Sequence, residues 1–366
     1  MVYTNVPNVV RTLDEMKINI TFLDLIFKEP AGTSRGVLST KPSWFIEVSD
    51  KGKIGRGEIS VIPGLSPEYR DIHSFNKKLS SVVAVFDAFP IQEWMVDQKE
   101  FLFLPALEKQ MLGFPSIRLG FEMAYNSWLS QNNLFFLSSL AFQSIDIPIN
   151  GLIWMGDIPT MKKRIKQKLA EGFSTLKMKI GSLDWKSEHQ LLSETRAQFS
   201  KNELNIRVDA NGAFSEKNAA QVLRDLSELE IHSIEQPLQK GLTKETRKLQ
   251  DLGLVPIALD EELIGIEEEQ EMLSLLRYTR ASFIVIKPSL HGGFRGTVKW
   301  ISCAEKLGIG WWITSALESS LGLQAIAEFT ALYPLFIPQG LGTGSIYSNN
   351  LPSRLVVQNG FLKALK

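Results

Sequence analysis

The sequence has a single cysteine and no excess charge of either sign. Cys303 is the only cysteine among 366 residues, so no disulfide can form within the chain, and a reducing, cytoplasmic setting is expected. Forty basic residues balance forty acidic residues, which gives no electrostatic reason to expect nucleic acid or an anionic membrane as a partner. The composition therefore argues against the partners that are recognised mainly through net charge.

Long apolar runs are also lacking. No stretch is long enough to span a membrane, and the N-terminal residues MVYTNVPNVVRTLDEMK do not combine a basic region with an apolar core as a signal peptide does. A hydrophobic content of 44% is nonetheless sufficient for a large globular core. A chain of this length is typical of two domains.

Two patterns divide the chain. From residue 18 to about 140, strand-like runs such as FLDLIF and WFIEV precede helical periodicity, which is typical of a small α+β module. After Pro148, eight short apolar runs alternate with amphipathic stretches, which predicts βαβ units and an α/β barrel. We expect a capping domain in residues 1–147, a barrel in residues 148–344 and a segment in residues 345–366 that returns to the cap. Residues 1–15 are weakly patterned, and the interpretation leaves open whether they are an extension.

The polar residue at the end of each apolar run carries most of the functional information. Six consecutive runs end, at nearly even spacing, with Lys179, Asp209, Glu235, Asp260, Lys287 and Ser315. The carboxyl ends of barrel strands form the face on which barrel enzymes keep their active sites. We therefore expect these six side chains to meet at one mouth of the barrel.

Three of the six are carboxylates, and this composition predicts a metal site. Asp209, Glu235 and Asp260 would place three like charges at close range, which is prohibitive unless a cation holds them together. Ligands that are all oxygen favour Mg²⁺ or Mn²⁺ over zinc.

Lysines flank the predicted metal site on both sides, Lys179 on the second strand and Lys287 on the sixth. Lys177 lies two residues before Lys179, and side chains at i and i+2 of a strand point to the same face. A lysine acts as a general base only when neutral, and neighbouring positive charge favours the neutral form. We interpret Lys177 as tuning Lys179 for removal of a proton α to a carboxylate, since a metal and an ammonium stabilise the resulting anion.

The patterns K-x-K, D-x-N, E-x-P and D-E at successive strand ends, followed by a lysine, resemble the muconate-lactonizing-enzyme-like subgroup of the enolase superfamily. The resemblance covers nearly the whole chain and implies a (β/α)7β modified TIM barrel with an N-terminal α+β capping domain. Four segments look like those of the o-succinylbenzoate synthase family, namely AGTSRGVL, PINGLIWMG, IKPSLHGG and ITSALESSLG.

The resemblance implies roles for these residues. Lys179 is the base, Lys287 stabilises the enediolate, and the three carboxylates bind Mg²⁺, as is general in this superfamily. The implied reaction is the syn dehydration of 2-succinyl-6-hydroxy-2,4-cyclohexadiene-1-carboxylate to o-succinylbenzoate in menaquinone biosynthesis. The expected partner is thus a small-molecule carboxylate, with no role for nucleic acid or a membrane.

Other activities of the same subgroup are alternatives. Dipeptide epimerases typically carry D-x-D at the end of the eighth strand, where residues 340–344 of this chain read GLGTG and offer backbone N–H groups that suit an anionic arm. N-succinylamino acid racemase shares both lysines and a succinyl-bearing substrate, and muconate cycloisomerase is a third alternative. A non-catalytic binding protein on the same scaffold is the alternative from another class, and the intact ligands and lysines argue against it.

Substrate contacts are predicted at four positions, Arg35, Ser315, Glu318 and Gly342. Arg35 lies in the segment AGTSRGVL, which in this superfamily closes over the site, so its guanidinium is a candidate partner for a substrate carboxylate. A solvated loop arginine is the equal alternative for Arg35.

Two further residues are expected behind the metal ligands. Asn211 shares the face of Asp209, and Glu261 directly follows Asp260. Residues in such places commonly orient the ligands through hydrogen bonds.

Overall fold

The computed structural model describes residues 16–33 and 36–365. The described chain comprises an N-terminal α+β cap, a parallel barrel sheet surrounded by helices, and a C-terminal hairpin. Within these residues, no helix is both long and apolar enough to cross a membrane.

The cap begins with a three-stranded antiparallel sheet. Its strands are β1 (Lys17–Thr33), β2 (Gly36–Asp50) and β3 (Lys53–Ser60). Lys51 and Gly52 both have positive φ and form the tight turn that joins β2 to β3. Alternate residues of β2, Trp44, Ile46 and Val48, are buried, as the period of a strand with one covered face requires.

Helices and a small hairpin follow this sheet in the chain. They are α1 (Ile72–Phe86), β4 (Met95–Asp97), β5 (Leu102–Phe103), α2 (Pro105–Met111), α3 (Pro115–Ser130) and α4 (Ser139–Gln143). Helix α3 packs directly against β2 and β3, and it lies so close to β3 that a Cβ at Gly57 would be 2.1 Å from the carbonyl oxygen of Gly120. The glycine pair therefore permits the contact between helix and sheet on which the cap is built.

The barrel sheet has seven parallel strands in sequence order. They are β7 (Gly151–Ile153), β8 (Thr175–Lys179), β9 (Asn205–Asp209), β10 (Ser233–Glu235), β11 (Ile257–Leu259), β12 (Phe283–Ile286) and β13 (Gly310–Ile313). The eighth position is filled by Gln339 and Gly340, which bridge Ile149 and Thr314 and so close the barrel. A full strand was predicted here, but Pro338 has no N–H and cannot extend the ladder.

Helices alternate with these strands, as the pattern after Pro148 predicted. They are α5 (Ile158–Ala170), α6 (Trp185–Gln198), α7 (Ala219–Glu228), α8 (Thr243–Asp251), α9 (Glu269–Thr279), α10 (Gly293–Lys306) and α11 (Ser320–Thr330).

The C-terminal segment contacts two parts of the molecule. Tyr347 bridges Phe27 of β1, so this part does reach the cap. Beyond it, β14 (Leu355–Gln358) and β15 (Phe361–Ala364) form a hairpin that pairs with β6 (Asp146–Pro148), just before the barrel begins. The division of the chain at residues 147 and 344 stays an interpretation.

Buried carboxylates join the cap to the barrel. Glu58 of β3 accepts hydrogen bonds from the backbone N–H groups of Ser319 and Gly322, at 3.0 and 3.1 Å, where α11 begins. Glu122 of α3 accepts one from the N–H of Phe294, at 2.5 Å, in the first turn of α10. Helix N-termini favour negative charge and leave N–H groups to be satisfied. The cap thereby holds the segments that follow the sixth and seventh barrel strands.

We expect Glu58→Ala to lower the free energy of unfolding by about 3 kcal/mol, because it leaves buried N–H groups of α11 without an acceptor. Urea unfolding followed by circular dichroism measures the loss. Glu47→Ala is the matched control, since Glu47 is on the same sheet in an exposed pair with Arg56 and should change stability by less than about 1 kcal/mol. Equal losses in the two variants would contradict the proposed joint.

Candidate active site

The charged residues predicted from strand ends lie at the carboxyl ends of the barrel strands. Strands β8, β9 and β10 end at Lys179, Asp209 and Glu235, and Asp260 and Lys287 directly follow β11 and β12. Residues 179 and 209 are paired in the register of β8 and β9, and residues 209 and 235 in that of β9 and β10. The alignment of parallel strands therefore brings the side chains together, as the spacing predicted.

The two lysines of β8 point to the same face. The Nζ atom of Lys177 lies 2.7 Å from Oε1 of Glu235 and 2.9 Å from Oδ2 of Asp209. The Nζ atom of Lys179 lies 3.1 Å from the same Asp209 oxygen. Lys177 thus forms ion pairs with two buried carboxylates, which is a role that the sequence did not suggest. Its predicted tuning of Lys179 stays a prediction.

Lys287 enters the cluster from the opposite side of the barrel. Its ammonium donates to Oδ2 of Asp260, and its backbone N–H donates to Nδ1 of His291 at 2.9 Å. The imidazole of His291 is buried, and burial lowers its pKa to about 3, so the ring is neutral. His291 therefore orients the backbone at Lys287 without adding charge.

Burial and ion pairing oppose each other in this cluster. Burial would raise the pKa of Asp209, but the three ammonium groups around it hold the pKa well below its ordinary value. Burial, with the charge of Asp209, raises the pKa of Glu235. Burial would lower the pKa of Lys177 and of Lys287, but the carboxylates raise both above the ordinary lysine value. In this arrangement Lys177 and Lys287 are therefore cations near neutral pH.

Asn211 and Glu261 lie next to the cluster, and their predicted support of metal ligands stays a prediction. The side-chain oxygen of Asn211 accepts from Nζ of Lys179 at 2.5 Å, and its amide nitrogen donates to Oε1 of Glu261 at 3.1 Å. The backbone N–H of Asn211, which has a φ of 44°, donates to Oδ1 of Asp209 at 3.1 Å. Asn211 therefore orients both a carboxylate and a lysine.

A cavity opens above the cluster, between cap and barrel. Its charged side includes Lys177, Lys179, Asp209 and Lys287. The rest of its lining is mainly apolar and includes Leu38, Ile62, Pro63, Leu65, Leu152, Trp154, Ala316 and Leu317, which the name apolar side denotes below. A site with a charged side and an apolar side suits a ligand that carries a carboxylate on a carbon skeleton.

Of the four predicted substrate contacts, two line the cavity, one does not, and one lies outside the described residues. Ser315 and Gly342 line it, and the hydroxyl of Ser315 is 2.5 Å from that of Thr343. Glu318 is placed differently from the prediction, because it is fully buried and does not line the cavity. Its oxygens accept from the Ser289 hydroxyl at 2.6 Å and from the backbone of residue 316 at 2.7 Å, so it ties two loops together. Arg35 lies outside the described residues.

The carboxylates of the three predicted metal ligands are paired with ammonium groups, and two of their oxygens have no partner. In the described part of the chain, no three Asp, Glu, His or Cys side chains surround a common point as metal ligands would. Ammonium groups stand among the predicted ligands, with Lys177 between Asp209 and Glu235 and Lys287 against Asp260. Yet Oε2 of Glu235 and Oδ1 of Asp260 are buried without a hydrogen-bond partner. Unsatisfied, buried carboxylate oxygens fit a hard divalent cation, so the chemistry of the donor set agrees with Mg²⁺.

Sequence reasoning missed two residues at the site. Oε1 of Gln236, whose φ is 41°, accepts from the backbone N–H groups of Asp260 and Glu262 at 3.1 and 3.3 Å and so fixes the start of the segment after β11. Asn150 lines the cavity, and its side-chain oxygen is buried without a partner. The signal for Gln236 was its place directly after a predicted ligand, and the signal for Asn150 was a polar residue at the start of a barrel strand.

Lys177→Met should cost about 3–5 kcal/mol of unfolding free energy in the presence of a chelator, because at nearly constant side-chain volume it removes the ammonium partner of buried Glu235 and one of the two close ammonium partners of buried Asp209. Urea unfolding measures this loss. Lys201→Met is the control, since Lys201 pairs with Glu230 at the surface and should contribute less than about 1 kcal/mol. A small loss for both variants would show that Lys177 does not balance the buried charge.

Known proteins share both the sequence and the fold. The family described as enolase C-terminal domain-like matches residues 160–366. A relative from Desulfotalea psychrophila named o-succinylbenzoate synthase is 45% identical over 363 residues, which cover 95% of this chain and 98% of that protein. The crystal structure of MenC from the same organism superposes with a TM-score of 0.82 at 40% identity, covering 96% of this chain and 100% of the other.

Another similar protein has a different activity. The N-succinylamino acid racemase of Thermus thermophilus is 33% identical over 158 residues, which cover 43% of this chain and 40% of that protein. The resemblance inferred from the strand-end motifs is confirmed by the first relative and by the family match. The chain belongs to the enolase superfamily and, within it, to the o-succinylbenzoate synthase family.

Proposed function

We propose that this protein is an o-succinylbenzoate synthase, a hydro-lyase that dehydrates 2-succinyl-6-hydroxy-2,4-cyclohexadiene-1-carboxylate in menaquinone biosynthesis. The observation that carries the proposal is the 45% identity to an enzyme of that name across nearly the whole of both chains. The lysine and carboxylate cluster at the barrel mouth supports it, because removal of a proton α to a carboxylate needs a base and a nearby cation.

Lys179 and Lys287 have unequal tasks in this proposal. Lys179 takes the α-proton in its neutral form and then, as an ammonium on the same face, gives a proton to the departing hydroxyl. Lys287, whose pKa is raised by Asp260 and Glu235 against the effect of burial, stays cationic and faces the negative charge that develops on the substrate carboxylate. Loss of water leaves an aromatic ring, which makes the step strongly favourable.

Asp209, Glu235 and Asp260 would hold Mg²⁺, or Mn²⁺, in the same proposal. When bound, the cation polarises the substrate carboxylate and stabilises the negative charge of the enediolate. Asn211, Glu261 and Gln236 would orient these ligands from behind.

The proposal assigns the remaining substrate groups to the other residues that line the cavity. The apolar side suits the ring, and Ser315, Thr343 and the backbone at Gly342 offer hydrogen bonds to the succinyl arm. Arg35 is proposed to meet a substrate carboxylate, as the family resemblance of its segment implies.

N-succinylamino acid racemase activity is the second candidate. It is favoured by the presence of lysines on both sides of the site, since a racemase needs a proton carrier on each face of its substrate. Dipeptide epimerase activity has less support, because residues 340–344 carry no carboxylate to hold a substrate ammonium.

The direct test is to incubate the purified protein with Mg²⁺ and the cyclohexadiene substrate and to follow the ultraviolet absorbance of the aromatic product. Product formation is the expected result. Turnover of N-succinyl amino acids without dehydration would replace the proposed function by the racemase.

Activity should depend on a divalent cation. Chelation should abolish turnover, added Mg²⁺ or Mn²⁺ should restore it, and Glu235→Gln should resemble chelation because it removes a charged ligand at nearly constant volume. Turnover assays combined with elemental analysis test this expectation. Full activity in protein shown to be free of metal would exclude the proposed ligand set.

The two lysines should respond differently to substitution. Lys179→Ala should abolish dehydration together with exchange of the substrate α-proton, a loss at or beyond the top of the roughly 10²–10⁴-fold range of general acid–base groups. Lys287→Arg keeps the positive charge but cannot act as a base near neutral pH. It should keep measurable dehydration while losing any racemisation of N-succinyl amino acids. The assignment of Lys179 fails if Lys179→Ala still forms the aromatic product near the wild-type rate.

A further inference from the structure

Leu317 has a backbone conformation that leucine rarely adopts. Its φ is 62°, in the left-handed region where Cβ crowds the backbone and which glycine enters without penalty. The residue is 9% exposed and is one of the apolar residues that line the cavity. Strain of this kind persists only where the surroundings impose it, and it concentrates at functional sites.

Buried hydrogen bonds on both sides of Leu317 impose this conformation. The Tyr347 hydroxyl donates to the carbonyl oxygen of Leu317 at 2.6 Å. The N–H of Ala316 donates to Oε2 of Glu318 at 2.7 Å, and the N–H of Ser319 donates to Glu58 of the cap at 3.0 Å. The segment after β13 is therefore fixed from the cap, from the loop after β12 and from the C-terminal segment at once.

The conformation places the leucine side chain in an apolar cluster that spans cap and barrel. The buried members of this cluster are Leu25, Phe27, Ala31, Ile62, Ile264, Leu290, Ala316, Leu317 and Tyr347. Glycine would relieve the backbone but would leave the cavity without this part of its apolar side. Glycine would adopt this backbone conformation without strain, so the presence of leucine indicates that the side chain itself is required.

We propose that Leu317 is a specificity-determining residue, which sets the width of the apolar side of the cavity against the carbocyclic ring of the substrate. Tyr347 is a positioning residue, because it does not line the cavity and acts through the Leu317 carbonyl. The inference rests on the proposed function for the identity of the ring. It adds to that function a residue outside the lysine and carboxylate cluster.

The test compares Leu317→Ala and Leu317→Gly with the unaltered protein in Mg²⁺. The readouts are the kcat and KM of dehydration and the Kd, by calorimetry, of o-succinylbenzoate and of the wider 3-succinyl-2-naphthoate. Removal of apolar contacts is expected to raise KM about tenfold in both variants. The preference for the benzoate over the naphthoate should fall about tenfold, because the cavity widens on one side.

Thermal unfolding separates the side chain from the backbone. Leu317→Gly should unfold at the same temperature as Leu317→Ala or higher, because glycine alone is unstrained at this φ. Arg280 is the matched control, since it has a φ of 55° at the exposed end of α9. Arg280→Gly and Arg280→Ala should show the same order of unfolding temperatures with unchanged kinetics and ligand preference.

Tyr347→Phe removes one hydroxyl and keeps the ring packed on Phe27. It should lower the ligand preference in the same direction as Leu317→Ala, by about threefold, with KM affected more than kcat. An unchanged preference in Leu317→Ala, with wild-type turnover intact, would overturn the inference and leave the proposed function standing. An unaltered protein that neither turns over the cyclohexadiene nor binds o-succinylbenzoate would overturn the proposed function, and with it the ligand assigned to Leu317.

Discussion

Charge balance among buried side chains is the constraint on which the barrel mouth depends. Asp209, Glu235 and Asp260 are almost fully buried, and the ammonium groups of Lys177, Lys179 and Lys287 face them. Isolated charges in such surroundings would be prohibitive, so carboxylates and lysines must occur together. In the proposed function the same groups would supply the chemistry, because the carboxylates would hold the divalent cation and Lys179 would exchange a proton with the substrate.

The cap contributes to the site through fixed contacts and not only as a cover. Glu58 and Glu122 accept hydrogen bonds from the N-termini of α11 and α10, which follow Ser315 and Lys287 in the chain. Because these carboxylates are buried and reach across more than 170 residues of sequence, the segments after β12 and β13 are held by the cap.

Periodicity is why the cluster could be predicted from sequence. In parallel strands whose carboxyl ends are in register, the last residue of each strand reaches the same edge, so the even spacing of Lys179, Asp209 and Glu235 was sufficient to predict that they meet. Contacts that depend on loop geometry were beyond this reasoning. Glu318 follows a residue with positive φ, and no pattern indicated that its side chain would turn away from the cavity. The pairing of Lys177 with Glu235 spans two strand intervals and depends on side-chain reach, which alternation along one strand does not specify.

The cavity has both charged and apolar residues in its lining, and this explains why the strand-end motifs could indicate the type of reaction but not the substrate. Lysines and carboxylates at strand ends serve proton abstraction from any α-carbon next to a carboxylate, so they resemble each other across enzymes with different substrates. The apolar side is assembled from Leu38 and Ile62 of the cap and from Trp154 and Leu317 of the barrel, which are distant in sequence and have no common spacing. Differences among substrates must therefore be decided mainly by residues that strand-end motifs do not contain. Leu317, which is held in a strained conformation by hydrogen bonds on both sides, is the residue that we propose for this role.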